Sequence, residues 1–341
     1  MNTDRRSFLK RCFGTSCGFS ATLMLSPLLA RKAYGREVEG DAIGAKPFAR
    51  IEKLHEGVYA LISTPFTKDG KSGDLSTHSN GGLIIGKDKI LAIDSYRTPA
   101  GAAYMVDACL AITGRLPTHV VNTHFHFDHL GGTRAFIRGG SPEIIMTQTT
   151  RQLAFENYSK TVVDPENPDL SISTLNKWGG YFSDASAIIT NEEKPLKLDL
   201  GGRTVTITPM GGHTASDLVI TDDTSGTTFA GDLIWDGIFP NFMSSSPSQW
   251  ILSVENILKG HSGLIVPGHG SAKKASSASF ESYRNLLSEI EQHARVNQGK
   301  GVDSDQAAKE FKLPSSLGDY SYFRSGFHEI AMEAWYRELA K

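Results

Sequence analysis

The chain has 341 residues, 39% hydrophobic and 21% charged, with a formal net charge of −2. This is the composition of an ordinary globular protein able to bury a sizeable core, and it excludes a disordered or collagen-like chain. Three cysteines are too few for a disulfide scaffold, and the absence of a basic cluster argues against a nucleic-acid partner.

At the N-terminus, Asp4-Arg5-Arg6-Ser7-Phe8-Leu9-Lys10 precedes a moderately apolar run from Cys12 to Ala30 and a small-residue stretch up to Gly35. This resembles a twin-arginine (Tat) export signal, so residues 1–35 are expected to be a signal peptide and the mature protein periplasmic. Gly14, Ser16, Gly18, Ser20 and Pro27 interrupt the run and make it a poor permanent span, so no stable membrane insertion is expected after cleavage. Retention of the segment would instead leave the protein membrane-anchored. Cys12 and Cys17 fall within it, leaving Cys109 as a buried small hydrophobe without a disulfide partner. Loss of residues 1–33 removes mostly basic side chains and leaves an acidic body, about −7 formally.

From residue 51 the pattern predicts strands over 51–54 and 57–63, a polar glycine-containing loop over 64–79, a strand pair over 81–85 and 89–93, and a helix over 100–113. The loop is longer than a hairpin needs and fits either a flap over a site or an exposed surface loop. Residues 119–123 read as a buried strand. It runs into His124-Phe125-His126-Phe127-Asp128-His129, after which Leu130-Gly131-Gly132-Thr133 opens a helix. Read as extended chain, this places His124, His126 and Asp128 on one face and His129 on another, a geometry for two metal ions side by side. Burying three histidines and a carboxylate within six residues without a metal would leave several polar groups unsatisfied.

A strand follows at 143–146, then a mixed insert over 151–190 whose Trp178, Tyr181 and Phe182 fit either a substrate pocket or a local packing cluster. Three later segments share one design, a strand followed by a glycine and a potential ligand: Gly211-Gly212-His213-Thr214, Gly231-Asp232 and Pro267-Gly268-His269-Gly270. Helices are expected over 276–298, where Phe280, Tyr283, Leu286, Leu287 and Ile290 recur at helical spacing, and over 327–339. His55, His78, His119, His261, His293 and His328 carry no motif, and His78 is expected to be solvent-exposed.

In this order the motifs HFHFDH, GGHT, GD and PGHG resemble those of the metallo-β-lactamase superfamily across roughly residues 50–275. The resemblance implies an α+β fold, an αββα sandwich with C-terminal helices. Residues 36–275 would form the catalytic domain and 276–341 a helical extension packed on it. It also implies a dinuclear centre in which His124, His126 and His213 hold one metal, Asp128, His129 and His269 the other, and Asp232 bridges them. Nitrogen and oxygen donors without a thiolate suit two zinc ions, with iron or manganese possible.

The chemistry so implied is hydrolysis of a small-molecule carboxylic ester, thioester, lactone or cyclic amide by a metal-bridging hydroxide, with Asp128 orienting it and handing on its proton. The absence of a ligating cysteine counts against a β-lactamase acting on β-lactam antibiotics. Two further readings fit the same motifs: an iron-dependent sulfur dioxygenase, which uses a similar motif around one iron, and a non-catalytic accessory protein of a periplasmic quinoprotein pathway.

Overall fold

The computed structural model describes residues 41–67, 73–133, 135–136, 142–158, 187–190 and 194–341. The expected signal peptide and the aromatics Trp178, Tyr181 and Phe182 lie outside the described residues. The described residues cluster as one compact unit.

Two sheets face each other. The first runs β1 (Asp41–Lys46), β2 (Ala49–His55), β3 (Val58–Ser63), β4 (Gly81–Ile85), β5 (Ile90–Ile93), β6 (His119–Val121), β7 (Glu143–Thr147) and β8 (Ala187–Thr190), each strand beside the next. Strands β1 to β5 form an antiparallel meander, whereas β5 to β8 pair in parallel. The parallel pairs need crossovers, and α1 (Pro99–Thr113) supplies the one between β5 and β6. Its start is fixed by the Thr98 side chain, which accepts from the Gly101 N–H, and by Pro99 in the first turn; Gly114 ends it in the left-handed conformation at φ 68°.

The second sheet contains β9 (Leu196–Asp199), β10 (Thr204–Met210), β11 (Asp217–Asp222), β12 (Thr228–Phe229), β13 (Leu264–Val266) and β14 (Lys273–Lys274), in sequential order across the sheet. Strand β3 is buried along its whole length, because Val58, Ala60 and Ile62 face the second sheet while Tyr59 and Leu61 face α1. The inter-sheet layer joins those residues to Val205, Ile207, Leu218, Ile220 and Phe229. Each valine, leucine, isoleucine or phenylalanine side chain in it contributes about 1.5–3 kcal/mol on burial. Gly82 marks a close approach of the two sheets: a Cβ there would lie 2.3 Å from the Phe229 ring.

The outer face of the second sheet is covered by α4 (Pro247–Gly260), α5 (Ala278–Gly299), α6 (Ser304–Glu310) and α7 (Phe327–Leu339). Trp250, Leu286, Leu287, Met332 and Trp335 meet there in one buried cluster. The layering is the expected αββα sandwich, and the C-terminal helices are part of its outer layer.

One local expectation is corrected. The chain is not extended through Asp128; it turns at His126 into the short helix α2 (Phe127–Leu130). A strand would have kept Asp128 and His129 on opposite faces, whereas one helical turn carries both toward the same centre. A further helix, α3 (Gln148–Tyr158), follows β7. Among the described residues, no helix is long and apolar enough to cross a membrane.

Candidate metal centre

All seven residues singled out in the motifs converge at one edge of the sandwich. His124, His126, His213 and Asp232 offer donor atoms within 4.8 Å of one another, as do Asp128, His129 and His269. In the first group, His126 Nδ1 lies 3.1 Å from His124 Nε2 and 2.9 Å from His213 Nε2, and Asp232 Oδ2 lies 3.3 Å from His213 Nε2. In the second, Asp128 Oδ2 is 3.4 Å from His269 Nε2 and 3.8 Å from His129 Nε2. Asp232 spans both, with Oδ1 3.0 Å from His129 Nε2 and Oδ2 3.4 Å from His269 Nε2.

These separations fit a metal. Zinc held by four donors at about 2.0–2.1 Å sets neighbouring donors roughly 3.3 Å apart. His129 Nε2 and Asp232 Oδ1 are buried against each other at 3.0 Å and neither has a hydrogen-bond partner among the described residues, which a shared cation would relieve.

The opposite edge of most rings is anchored, which fixes the nitrogen each presents. The Thr123 hydroxyl donates to Asp94 Oδ2 (3.0 Å) and accepts from His124 Nδ1 (3.0 Å), so His124 presents Nε2. His129 Nδ1 donates to Asp94 Oδ2 at 2.7 Å, and His269 Nδ1 donates to the His78 carbonyl at 3.1 Å. His126 instead pairs Nε2 with the Ser244 hydroxyl at 3.2 Å and presents Nδ1. The His213 Nδ1 has no such partner; its ring is held by Trp250, 4.9 Å away.

Charge divides the centre. Burial, with the neighbouring imidazoles, pushes His126 down to about 4 and His213 to about 3, and holds His124 well below its ordinary value, so these rings are neutral and ready to ligate. Burial also opposes charge on His129 and His269, but the surrounding carboxylates outweigh it and raise His269 to about 9. Asp128 and Asp232, despite burial, are held well below the carboxylate range by those histidines. A metal entering the second group therefore displaces protons.

Three site residues carried no motif. Asp94, at the end of β5 with φ 60°, receives His129 and the Thr123 N–H (2.8 Å). Asp94→Asn replaces one acceptor with a donor facing His129 or Thr123, and metal affinity is expected to fall about 10- to 100-fold. A chelator-competition titration reads this, and unchanged affinity would remove the orienting role.

His78 is a correction. Rather than lying in solvent, it sits at the centre with Nδ1 3.3 Å from Asp128 Oδ2 and its ring 4.4 Å from that of Phe323. The end of the 64–79 loop is thus a wall of the site. Asn80 was also unforeseen: its N–H donates to the Gly268 carbonyl (2.7 Å), and its amide donates to those of Pro267 (2.9 Å) and Gly270 (2.8 Å). Its Oδ1 accepts from Ser63 N–H at 2.8 Å, which ties the His269 loop to β3.

Asp217 secures the other loop, accepting from the Thr214 N–H and hydroxyl, each at 2.8 Å. Burial pushes it up to about 7 from an ordinary 3.8, despite those bonds. The folded chain therefore keeps a proton that the unfolded chain has lost. Its stabilising contribution is complete below the unfolded value and is lost as pH rises toward 7. The difference in Tm between Asp217→Asn and wild type should move in the variant's favour from pH 4 to 7 and then level off. A pH-independent difference would overturn the assignment.

The centre opens into a cavity of about 360 Å³, walled by Leu75, Phe127, Trp235, Phe323 and Phe327, with Tyr158, Asn241 and Arg324 as polar groups. Phe323, Arg324 and Phe327 place the C-terminal segment in the wall of the site.

Comparison with known proteins agrees with this architecture. The profile of the metallo-β-lactamase superfamily matches residues 100–269. Among solved structures, a metallo-β-lactamase from Pontibacter korlensis is 20% identical with a TM-score of 0.54, covering 70% of this chain and 99% of that one. One from Hirschia baltica is 19% identical, also at 0.54, covering 71% and 98%. The acyl-coenzyme A thioesterase MBLAC2 of Gallus gallus is 24% identical over 203 residues, 55% of this chain and 70% of that protein. Fold and site together define a metal-dependent hydrolase. Its architecture is the metallo-β-lactamase superfamily fold with a candidate dinuclear centre.

Proposed function

We propose that this chain is an exported dinuclear zinc hydrolase that cleaves a carboxylic ester, thioester, lactone or cyclic amide. The observation that carries the reading is Asp232, whose two oxygens reach ligands of both groups. A shared carboxylate of this kind supports two ions over the single iron of a sulfur dioxygenase. The imidazole and carboxylate donors favour zinc, with iron or manganese compatible. A thioester is favoured within the substrate range by the likeness to the chicken acyl-coenzyme A thioesterase.

Bound metal would supply Lewis-acid polarisation of the acyl carbonyl and acidify a water molecule. The chain's own part is positional and protonic. The aromatic walls exclude bulk water from the acyl group, and Asp128, at the cavity wall, orients the attacking water and takes its proton. As the new C–O bond forms, the bond from the acyl carbon to sulfur, oxygen or nitrogen breaks. The proton goes to the leaving group, giving a carboxylic acid and a free thiol, alcohol or amine.

The test is turnover of an acyl thioester, an aliphatic lactone and a chromogenic cephalosporin by the zinc-loaded protein, with Asp128→Ala as control and bound metal counted. Zinc-dependent cleavage of the thioester or lactone supports the reading. Cleavage of the cephalosporin alone would make it a β-lactamase, and two bound zinc ions with no turnover would favour an accessory role. Export is supported by the Arg5-Arg6 segment; retention of an Arg5→Lys, Arg6→Lys double variant in the cytoplasm, with wild type in the periplasm, is the expected result.

A further inference from the structure

We propose that His78 is a positioning residue for Asp128: its Nδ1 holds the Oδ2 oxygen turned toward the second metal group and so leaves the other oxygen, Oδ1, to the attacking water. The catalytic consequence rests on the hydrolase reading and deepens it; the consequence for metal binding does not depend on that reading.

Three imidazole nitrogens approach this carboxylate, all at one oxygen. His78 Nδ1 lies 3.3 Å from Asp128 Oδ2, and His269 Nε2 and His129 Nε2 lie 3.4 and 3.8 Å from it. His269 and His129 belong with Asp128 to the second metal group, whereas His78 stands outside both groups. An N–H directed at the ligating oxygen fixes the torsion of the carboxylate without competing for the metal. A carboxylate so held gives one oxygen to the metal and keeps the other for a proton. Asp128 is in a position to use it, since its side chain is 17% exposed and lines the cavity.

The carboxylate opposite Nδ1 selects the tautomer with its proton on that nitrogen. Nε2 is then left buried without a polar partner, in a ring whose centre is 4.4 Å from that of Phe323. The backbone of His78 is also unusual, in the left-handed region at φ 61°. An unpaired buried nitrogen and an uncommon backbone conformation each cost stability, and their coincidence beside a proton-accepting carboxylate points to function.

That conformation lets one residue face the second group twice. The His78 carbonyl accepts from His269 Nδ1 at 3.1 Å while the ring meets Asp128. On the next residue, the Ser79 hydroxyl donates to the Asp128 carbonyl; on the preceding one, the Thr77 carbonyl accepts from the Arg97 N–H at 3.1 Å. The ring is therefore carried by backbone already fixed against the two ligands it stands between.

Two variants separate the side chain from the backbone. His78→Gly keeps the left-handed conformation and the carbonyl that receives His269, but removes the ring. His78→Asn also tolerates that conformation and can place an amide N–H where Nδ1 stands, without restoring the ring against Phe323. Chelator competition on the full-length protein measures zinc affinity, and the visible absorption of the cobalt(II)-loaded forms reads the ligand geometry. In His78→Gly one of the two ions should bind about 10- to 100-fold more weakly, with altered cobalt bands, and His78→Asn should restore most of both. With S-phenyl thiobutyrate at saturating zinc, kcat should fall by a similar factor at unchanged KM and recover in His78→Asn. Wild-type zinc affinity and cobalt bands in His78→Gly would overturn the proposal, as would a loss that asparagine does not restore or a rise in KM alone. Zinc affinity that depends on the side chain and returns with asparagine, while no form cleaves the thioester, would count against the hydrolase reading and leave His78 as the residue that aims Asp128 at the metal.

Discussion

Alanine at Asp232 is expected to lower kcat/KM by at least about three orders of magnitude and to reduce bound metal, with the fold retained. Removing a charge that stabilises the transition state through a metal is worth several kcal/mol, and about 1.4 kcal/mol is a factor of ten in rate. Asp232 faces both ligand groups, so both lose a donor and the centre loses one of its two carboxylates. The fold should survive because the structural contact of this residue is made by its backbone: its carbonyl accepts from the Trp235 indole at 2.7 Å, and alanine keeps that bond. Metal analysis, circular dichroism and steady-state kinetics on the purified variant give the three readouts. Two metals per chain together with activity within tenfold of wild type would refute the shared-ligand assignment.

Gly268→Ala should come close to that effect without altering any ligand. A Cβ at this position would stand 1.9 Å from Asp232 Oδ1, 2.8 Å from the Gly231 carbonyl carbon and 2.9 Å from the Asp232 backbone nitrogen. The carboxylate alone could swing away, but the two backbone atoms cannot, and the Gly268 N–H is itself tied to the Gly231 carbonyl at 2.7 Å. The loop and the 3₁₀ turn at Asp232 must therefore separate. Overpacking of this kind costs about 1–3 kcal/mol in stability. The displaced Asp232 should bring a loss of turnover of about 100-fold or more, since misplacement by about 1 Å carries that cost. Thermal melting and zinc titration would separate the two consequences. A variant with wild-type metal affinity would show that the contact is more compliant than its geometry indicates.

The ligands were legible because each stands in a short segment whose local chemistry is unusual, such as three histidines and an aspartate in six residues or a histidine between two glycines after a strand. The fold class is implied by the family resemblance that those segments carry in their order. His78, Asp94 and Asn80 are not assigned to the site by sequence for a common physical reason: what makes each important is a partner distant in sequence. Asp94 reads as the end of an apolar strand until His129, 35 residues later, is brought against it. His78 reads as a polar loop residue until Phe323 covers it. The extended reading of Asp128 failed because strand periodicity was carried past the point where the chain turns. By contrast, α4 carries a local signal: Ser246-Pro247 opens it, and Trp250, Val254 and Ile257 recur on its buried face.

The hydrogen bonds of Asn80 bear on how such a centre could be moved to another protein. Its N–H and amide hold the carbonyls on either side of His269, while its Oδ1 is committed to β3. The position of His269 is thus specified nearly 190 residues away, by a side chain with no metal-binding capacity of its own in use. Transplanting the histidine and aspartate segments into a foreign scaffold would copy the donors and leave behind the joint that aims them. A workable graft would have to carry the meeting edges of both sheets, which makes the smallest portable unit of this centre close to the whole sandwich.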